Sequence, residues 1–131
     1  MASDSQCRTI LVVDDDFDIR TLTKRFLEAA GWTVVTASDG AEGLRVYEEH
    51  QSTVVLLLTD VRMPNMDGFE LTDRVLGIDS ELPVLFMSGE DWSTYPGLQC
   101  VAKPFQFTEL LDRVSRVLNV NARSKTTTSA A

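Results

Sequence analysis

Short apolar runs alternate with helix-period segments along nearly the whole chain, and this alternation restricts the fold more than any other feature. Thr9 to Val13 reads as a buried strand stopped by three aspartates. From Asp18 the residues Ile19, Leu22, Phe26, Leu27 and Ala30 recur at helical spacing, with Gly31 placed to close the helix. Trp32 to Thr36 is a short β-branched strand. Asp39 can cap a second helix with Leu44 and Tyr47 on one face, ending near His50. Thr53 to Thr59 is the most apolar strand, the expected centre of a sheet covered on both faces. Asp67-Gly68 opens a third helix with Phe69, Thr72, Val75 and Leu76 facing inward. Pro83 to Met87 and Leu98 to Ala102 read as two further strands. A last helix carries Leu110, Leu111, Val114, Val117 and Leu118 as an amphipathic stripe.

Five strands separated by helical segments predict an α/β domain with a doubly wound five-stranded parallel sheet. Right-handed crossovers and short connections favour the strand order 2-1-3-4-5, the flavodoxin-like arrangement. At 131 residues the chain fits one domain over 9–120, with an N-terminal tail over 1–8. The Ser/Thr/Ala-rich segment 121–131 lacks large apolar residues and is expected to be a disordered tail. One connection is short. Ser88 to Gly97 gives only ten residues between strands 4 and 5, where a parallel crossover takes a dozen or more. Pro96-Gly97 also breaks helices, so the helix between those strands, the fourth in the regular pattern, should be shortened or missing.

Twelve basic against twenty acidic side chains leave a net charge of -8, which argues against direct binding to nucleic acid or an anionic membrane. The apolar run Val54 to Leu58 is far too short to span a bilayer. Cys7 and Cys100 make no disulfide framework and read as reduced thiols of a cytoplasmic protein.

The chemistry collects at the strand ends, where ligands bind in such sheets. Strand 1 runs into Asp14-Asp15-Asp16, strand 3 into Asp60, strand 4 into Ser88, and strand 5 into Lys103. Clustered carboxylates repel by about 4 kcal/mol per close pair at an effective dielectric near 20. A divalent cation resolves that repulsion, and hard oxygen ligands suit Mg²⁺. Asp16 is the exception, placed to cap the first helix.

Four blocks in order carry a family resemblance: Ile10-Leu11-Val12-Val13-Asp14-Asp15, Thr59-Asp60-Val61-Arg62-Met63-Pro64-Asn65-Met66-Asp67-Gly68, Met87-Ser88-Gly89 and Lys103-Pro104-Phe105. From about Thr9 to Leu118 the chain resembles the receiver domains of two-component response regulators. The resemblance implies a phosphoacceptor switch rather than an enzyme acting on a separate substrate. Asp60 would take a phosphoryl group from a histidine kinase or histidine phosphotransfer protein. Asp15 and Asp60 would bind Mg²⁺ directly, Asp14 through a water, and Arg62 through its backbone carbonyl. Ser88 would donate to a phosphoryl oxygen, and Lys103 would pair with the phosphoryl group. A cis Lys103-Pro104 bond, an output protein and a phosphorylation-dependent dimer are further implications.

Two departures from the family pattern stand out. Cys100 occupies the position where receivers commonly carry Tyr or Phe, so a ring-rotation readout is not available. The short connection after strand 4 is similar to receivers attached to hybrid histidine kinases. Serine at position 88, where threonine is commoner, lies within the family's range. The main competing reading is a pseudo-receiver, an interaction module without the chemistry, which the intact Asp15, Asp60, Ser88 and Lys103 set opposes. An EF-hand over Asp14, Asp16 and Asp18 fails, because Ile19 and Arg25 stand where that loop needs Gly and Glu. A haloacid-dehalogenase phosphatase needs Asp where Arg62 stands, and three aspartates after strand 1 would repel a flavin phosphate.

Overall fold

The computed structural model describes residues 8–89 and 99–130. Its order is β1 (Thr9–Val13), α1 (Phe17–Ala29), β2 (Thr33–Ala37), α2 (Gly40–Glu49), β3 (Val54–Asp60), α3 (Gly68–Leu76), β4 (Val84–Ser88), β5 (Cys100–Ala102) and α4 (Phe107–Ala130). The strands form one sheet in the order β2-β1-β3-β4-β5, and every neighbouring pair is parallel. Among the described residues there are four helices and none between β4 and β5. Residues 90–98 of that connection, Pro96-Gly97 among them, lie outside the described residues, as does Cys7.

Alternation along the strands sends side chains to opposite faces, and both faces are apolar. Ile10, Val12, Leu56, Leu58, Leu85 and Met87 pack on one side with Leu27 of α1 and Leu110 and Val114 of α4. Leu11, Val13 and Leu57 pack on the other with Tyr47 of α2 and Leu71 and Val75 of α3. Each fully buried aliphatic side chain contributes about 1.5–3 kcal/mol, so these two clusters hold the sheet between its helices.

The helix starts follow the sequence. Asp16 accepts from the backbone N–H groups of Asp18 and Ile19 at 2.9 and 3.2 Å, and Asp39 and Asp67 cap α2 and α3 in the same way. Ala30 is the C-cap of α1, and Gly31 follows it at φ 97°, the left-handed position that favours glycine. The structure revises some bounds. β2, β3 and β4 each end one residue later than the apolar runs, because the ladder continues into Ala37, Asp60 and Ser88. On α3 the buried face is Gly68, Leu71, Thr72 and Val75, while Phe69 and Leu76 are only partly buried. The last helix also extends to Ala130, through a segment expected to lack regular structure. No Gly or Pro interrupts that segment, so the helical backbone propagates past its amphipathic part.

Candidate functional site

All five strands run the same way, so their C-terminal ends share one edge of the sheet. That geometry delivers Asp14, Asp60, Ser88 and Lys103 from four distant stretches of chain. Hydrogen bonds beyond the regular strands fix the edge: Asp14 N donates to Ala37 O at 3.2 Å, Val61 N to Met87 O at 3.2 Å, and Lys103 N to Ser88 O at 2.8 Å. The Lys103-Pro104 peptide bond is cis, matching the sequence expectation.

Asp14 is fully buried. Its Oδ1 accepts from the Asp16 N–H at 2.9 Å, and its carbonyl oxygen accepts from Arg20 Nη1 at 2.7 Å. The Lys103 ammonium lies 2.8 Å from Asp14 Oδ2 and 3.2 Å from Asp60 Oδ2, bridging the ends of β1 and β3. Asp15 is exposed at the rim, and one carboxylate oxygen from each of Asp14, Asp15 and Asp60 lies within 4.8 Å of the others. One ammonium therefore pairs with two of three clustered carboxylates. Burial, then the charge of Asp14, push the Asp60 carboxyl up to about 6, with Asp15 adding to the rise and Lys103 opposing it. For Lys103 burial favours loss of the proton, but Asp14 and Asp60 outweigh it and raise the pKa. An oxygen-only cluster with an excess of negative charge fits a hard divalent cation such as Mg²⁺.

The remaining expected residues sit around this cluster. Ser88 is buried at the end of β4 and pairs in register with Ala102, one residue before Lys103. Arg62 is exposed in the loop after β3. Asn65, at φ 70°, turns that loop, a backbone position Asn tolerates well. Cys100 is a free, half-buried thiol on β5, its pKa pushed up by burial.

Two residues emerged only from the structure. A Cβ on Gly68 would overlap the carbonyl oxygen of Asp60, and one on Gly40 would overlap that of Met66. These glycines let the loop after Asp60 lie directly on the first turns of α2 and α3. Asp-Gly before a helix was a signal for the start of α3, but nothing in the sequence showed what approaches Gly68.

The raised Asp60 pKa has a definite sign in the metal-free protein. Below its ordinary value near 3.8 the carboxyl is neutral in both folded and unfolded chains. Between there and about 6 the folded state holds the proton more tightly, so the stability gained at low pH is lost as pH rises through that window. The melting temperature of wild type minus that of Asp60→Asn should therefore fall from about pH 4 to about pH 7. Saturating Mg²⁺ should flatten the curve. A rising difference in metal-free buffer would contradict this electrostatic account.

The family model described as the response regulator receiver domain matches residues 10–115. The chain is 32% identical over 118 residues to the response regulator receiver protein CpdR of Brucella abortus, covering 85% of this chain and 97% of that one. It is 35% identical to the transcriptional regulatory protein PrrA of Mycobacterium bovis, covering 93% of this chain and 54% of PrrA. The chain thus spans about half the length of that regulator. The crystal structure of the receiver domain from the hybrid histidine kinase CckA superposes with a TM-score of 0.74 at 36% identity, covering 84% of this chain and 98% of that one. No helix among the described residues is long and apolar enough to cross a membrane.

Proposed function

The chain belongs to the response regulator receiver family, and from that premise we propose that it is a phosphorylation switch with Asp60 as the acceptor. The observation that carries the reading is the Lys103 ammonium set between Asp14 and Asp60, beside an exposed Asp15. An Asp60 carboxylate oxygen attacks the phosphorus of a phosphohistidine on a histidine kinase or phosphotransfer protein. The phosphorus–nitrogen bond breaks and its electron pair stays on the imidazole. Asp15 and Asp60 would hold Mg²⁺ directly, with Asp14 acting through a water and Arg62 through its carbonyl. When bound, the ion neutralises charge on the transferring oxygens and keeps Asp60 ionised.

The chain's own groups do the rest. Lys103 gives up its bridge to Asp60 and pairs with the arriving phosphoryl group, while the buried Ser88 hydroxyl donates to one of its oxygens. Ser88 and Lys103 are already joined through the Lys103 N–H and the Ser88 carbonyl, so their response moves β4 and β5 together. That movement would be read by an output partner, or by a second copy of the chain, in the cytoplasm.

Acetyl phosphate with Mg²⁺ should add one phosphoryl group to the wild-type protein, seen as a single mass increment, and EDTA should prevent it. No increment under either condition would turn the reading toward a pseudo-receiver interaction module.

Metal binding should also register as stability. At 100 times the dissociation constant, Mg²⁺ should stabilise the fold by about 2.7 kcal/mol. Asp15→Asn should remove most of that response, because it deletes the exposed carboxylate of the cluster. Denaturant melts with and without Mg²⁺ measure it. An unchanged response in Asp15→Asn would exclude that residue as a ligand.

A further inference from the structure

Arg20 touches the acidic cluster without belonging to it. It stands near the start of α1, where the helix dipole disfavours a cation, so helix stability does not account for its place. Its Nη1 donates to the carbonyl oxygen of Asp14 at 2.7 Å, a charge-assisted bond from a half-buried side chain. The backbone beneath it is fixed. Arg20 N donates to Asp16 O at 2.9 Å, in the same turn that the Asp16 carboxylate caps.

Phe17 completes the arrangement. It opens α1 with 67% of its surface exposed, more than any other large apolar side chain among the described residues. It belongs to neither core cluster. One turn along the helix, the Arg20 guanidinium carbon lies 5.5 Å from the centre of the Phe17 ring, within cation–π range.

Asp14 is held in place without Arg20. Its N–H donates to Ala37 O at 3.2 Å, its Oδ1 accepts from the Asp16 N–H at 2.9 Å, and its Oδ2 pairs with Lys103 at 2.8 Å. What the guanidinium adds is the direction of the Asp14 carbonyl. That carbonyl and the Asp15 N–H form one planar peptide unit, so the donor orients the backbone from which Asp15 projects. Asp14 and Asp60 are tied by the Lys103 bridge, whereas Asp15 is the exposed carboxylate of the three.

We propose that Arg20 is a positioning residue for the metal site: steadied against Phe17, it sets the Asp14-Asp15 peptide so that the Asp15 carboxylate faces the ion. The inference rests on the Mg²⁺ reading of the cluster. Its sign differs from that of charge alone. A guanidinium near a cation site repels the cation, so losing the charge by itself tightens Mg²⁺ binding. Losing the positioning weakens it.

Calorimetric titration of the full-length chain with Mg²⁺ separates the two. Arg20→Ala should weaken binding about tenfold, the scale of losing a group that orients a metal ligand. Arg20→Lys keeps the charge but lacks the reach and the planar fork, and should fall between Arg20→Ala and wild type. Phe17→Ala should weaken binding about twofold to fivefold with the Arg20 charge intact. In EDTA, ¹⁵N spectra of Arg20→Ala should show a folded chain with the Asp15 amide displaced, since its peptide unit loses a donor with no metal present. Labelling by acetyl phosphate should slow at Mg²⁺ concentrations that half-saturate wild type and recover when Mg²⁺ is raised. A damaged fold would label slowly at every concentration. Mg²⁺ affinity in Arg20→Ala equal to or tighter than wild type, or labelling that excess Mg²⁺ does not restore, would overturn the proposal. A wild type that binds no Mg²⁺ would instead overturn the metal reading, and the role of Arg20 with it.

Discussion

Asp60→Asn should take up no phosphoryl group from acetyl phosphate and Mg²⁺, and in EDTA it should unfold at a higher temperature than wild type. The two effects share one cause. Asp60 is nine-tenths buried beside the fully buried Asp14, and desolvation together with that neighbour raises its pKa to about 6. Near neutral pH the folded chain must ionise a carboxyl that would rather keep its proton. An amide of the same shape removes that cost and also removes the nucleophile. The loss of labelling should be complete, because the other carboxylates are differently placed: Asp14 is sealed from solvent and Asp15 sits at the rim. Intact-mass measurement and thermal melts on the same preparations check both halves. Residual labelling above background would move the acceptor elsewhere. A lower melting temperature in EDTA would mean that Asp60 stabilises the fold through Lys103 more than it strains it.

Lys103→Ala should be the most destabilising change at the site, by about 3–5 kcal/mol in metal-free buffer. The ammonium is largely buried and is the charge partner of an Asp14 side chain with no exposure. Its removal leaves Asp14 and Asp60 facing each other without compensation, the situation in which a broken buried pair is most costly. Mg²⁺ should restore part of the loss by supplying positive charge at the same cluster, so the stability gained from the metal should be larger in the variant than in wild type. Denaturant midpoints in EDTA and in Mg²⁺ give the comparison. A loss below about 1 kcal/mol would place the pair in the range of an exposed surface ion pair.

The sheet and its order were legible because each buried strand is a compact apolar run and each of the first three helices begins at an aspartate cap. Hydrophobicity stops marking a strand where its ladder enters polar residues. That is why β3 and β4 were read one residue short of Asp60 and Ser88, the two strand-end residues that matter most. The identities of the clustered residues could be read from strand ends alone, since a parallel sheet leaves them no other edge to occupy. Their pairing could not. Lys103 was expected to answer a phosphoryl group, and nothing in one dimension indicates that it already binds Asp14 in the unphosphorylated chain. Gly68 and Gly40 were equally silent, since a close approach by another backbone leaves no mark on the residue that permits it.

The ion pair between Asp14 and Lys103 joins the end of the first strand to the residue after the last. During synthesis the three carboxylates leave the ribosome well before the ammonium that faces them. A nascent chain that has not yet released β5 holds a concentrated negative charge with no internal answer, and a sheet edge at β4 still waiting for its neighbour. The site therefore closes only with the final strand. A growing chain gains Asp14's partner at nearly the same moment as its last ladder.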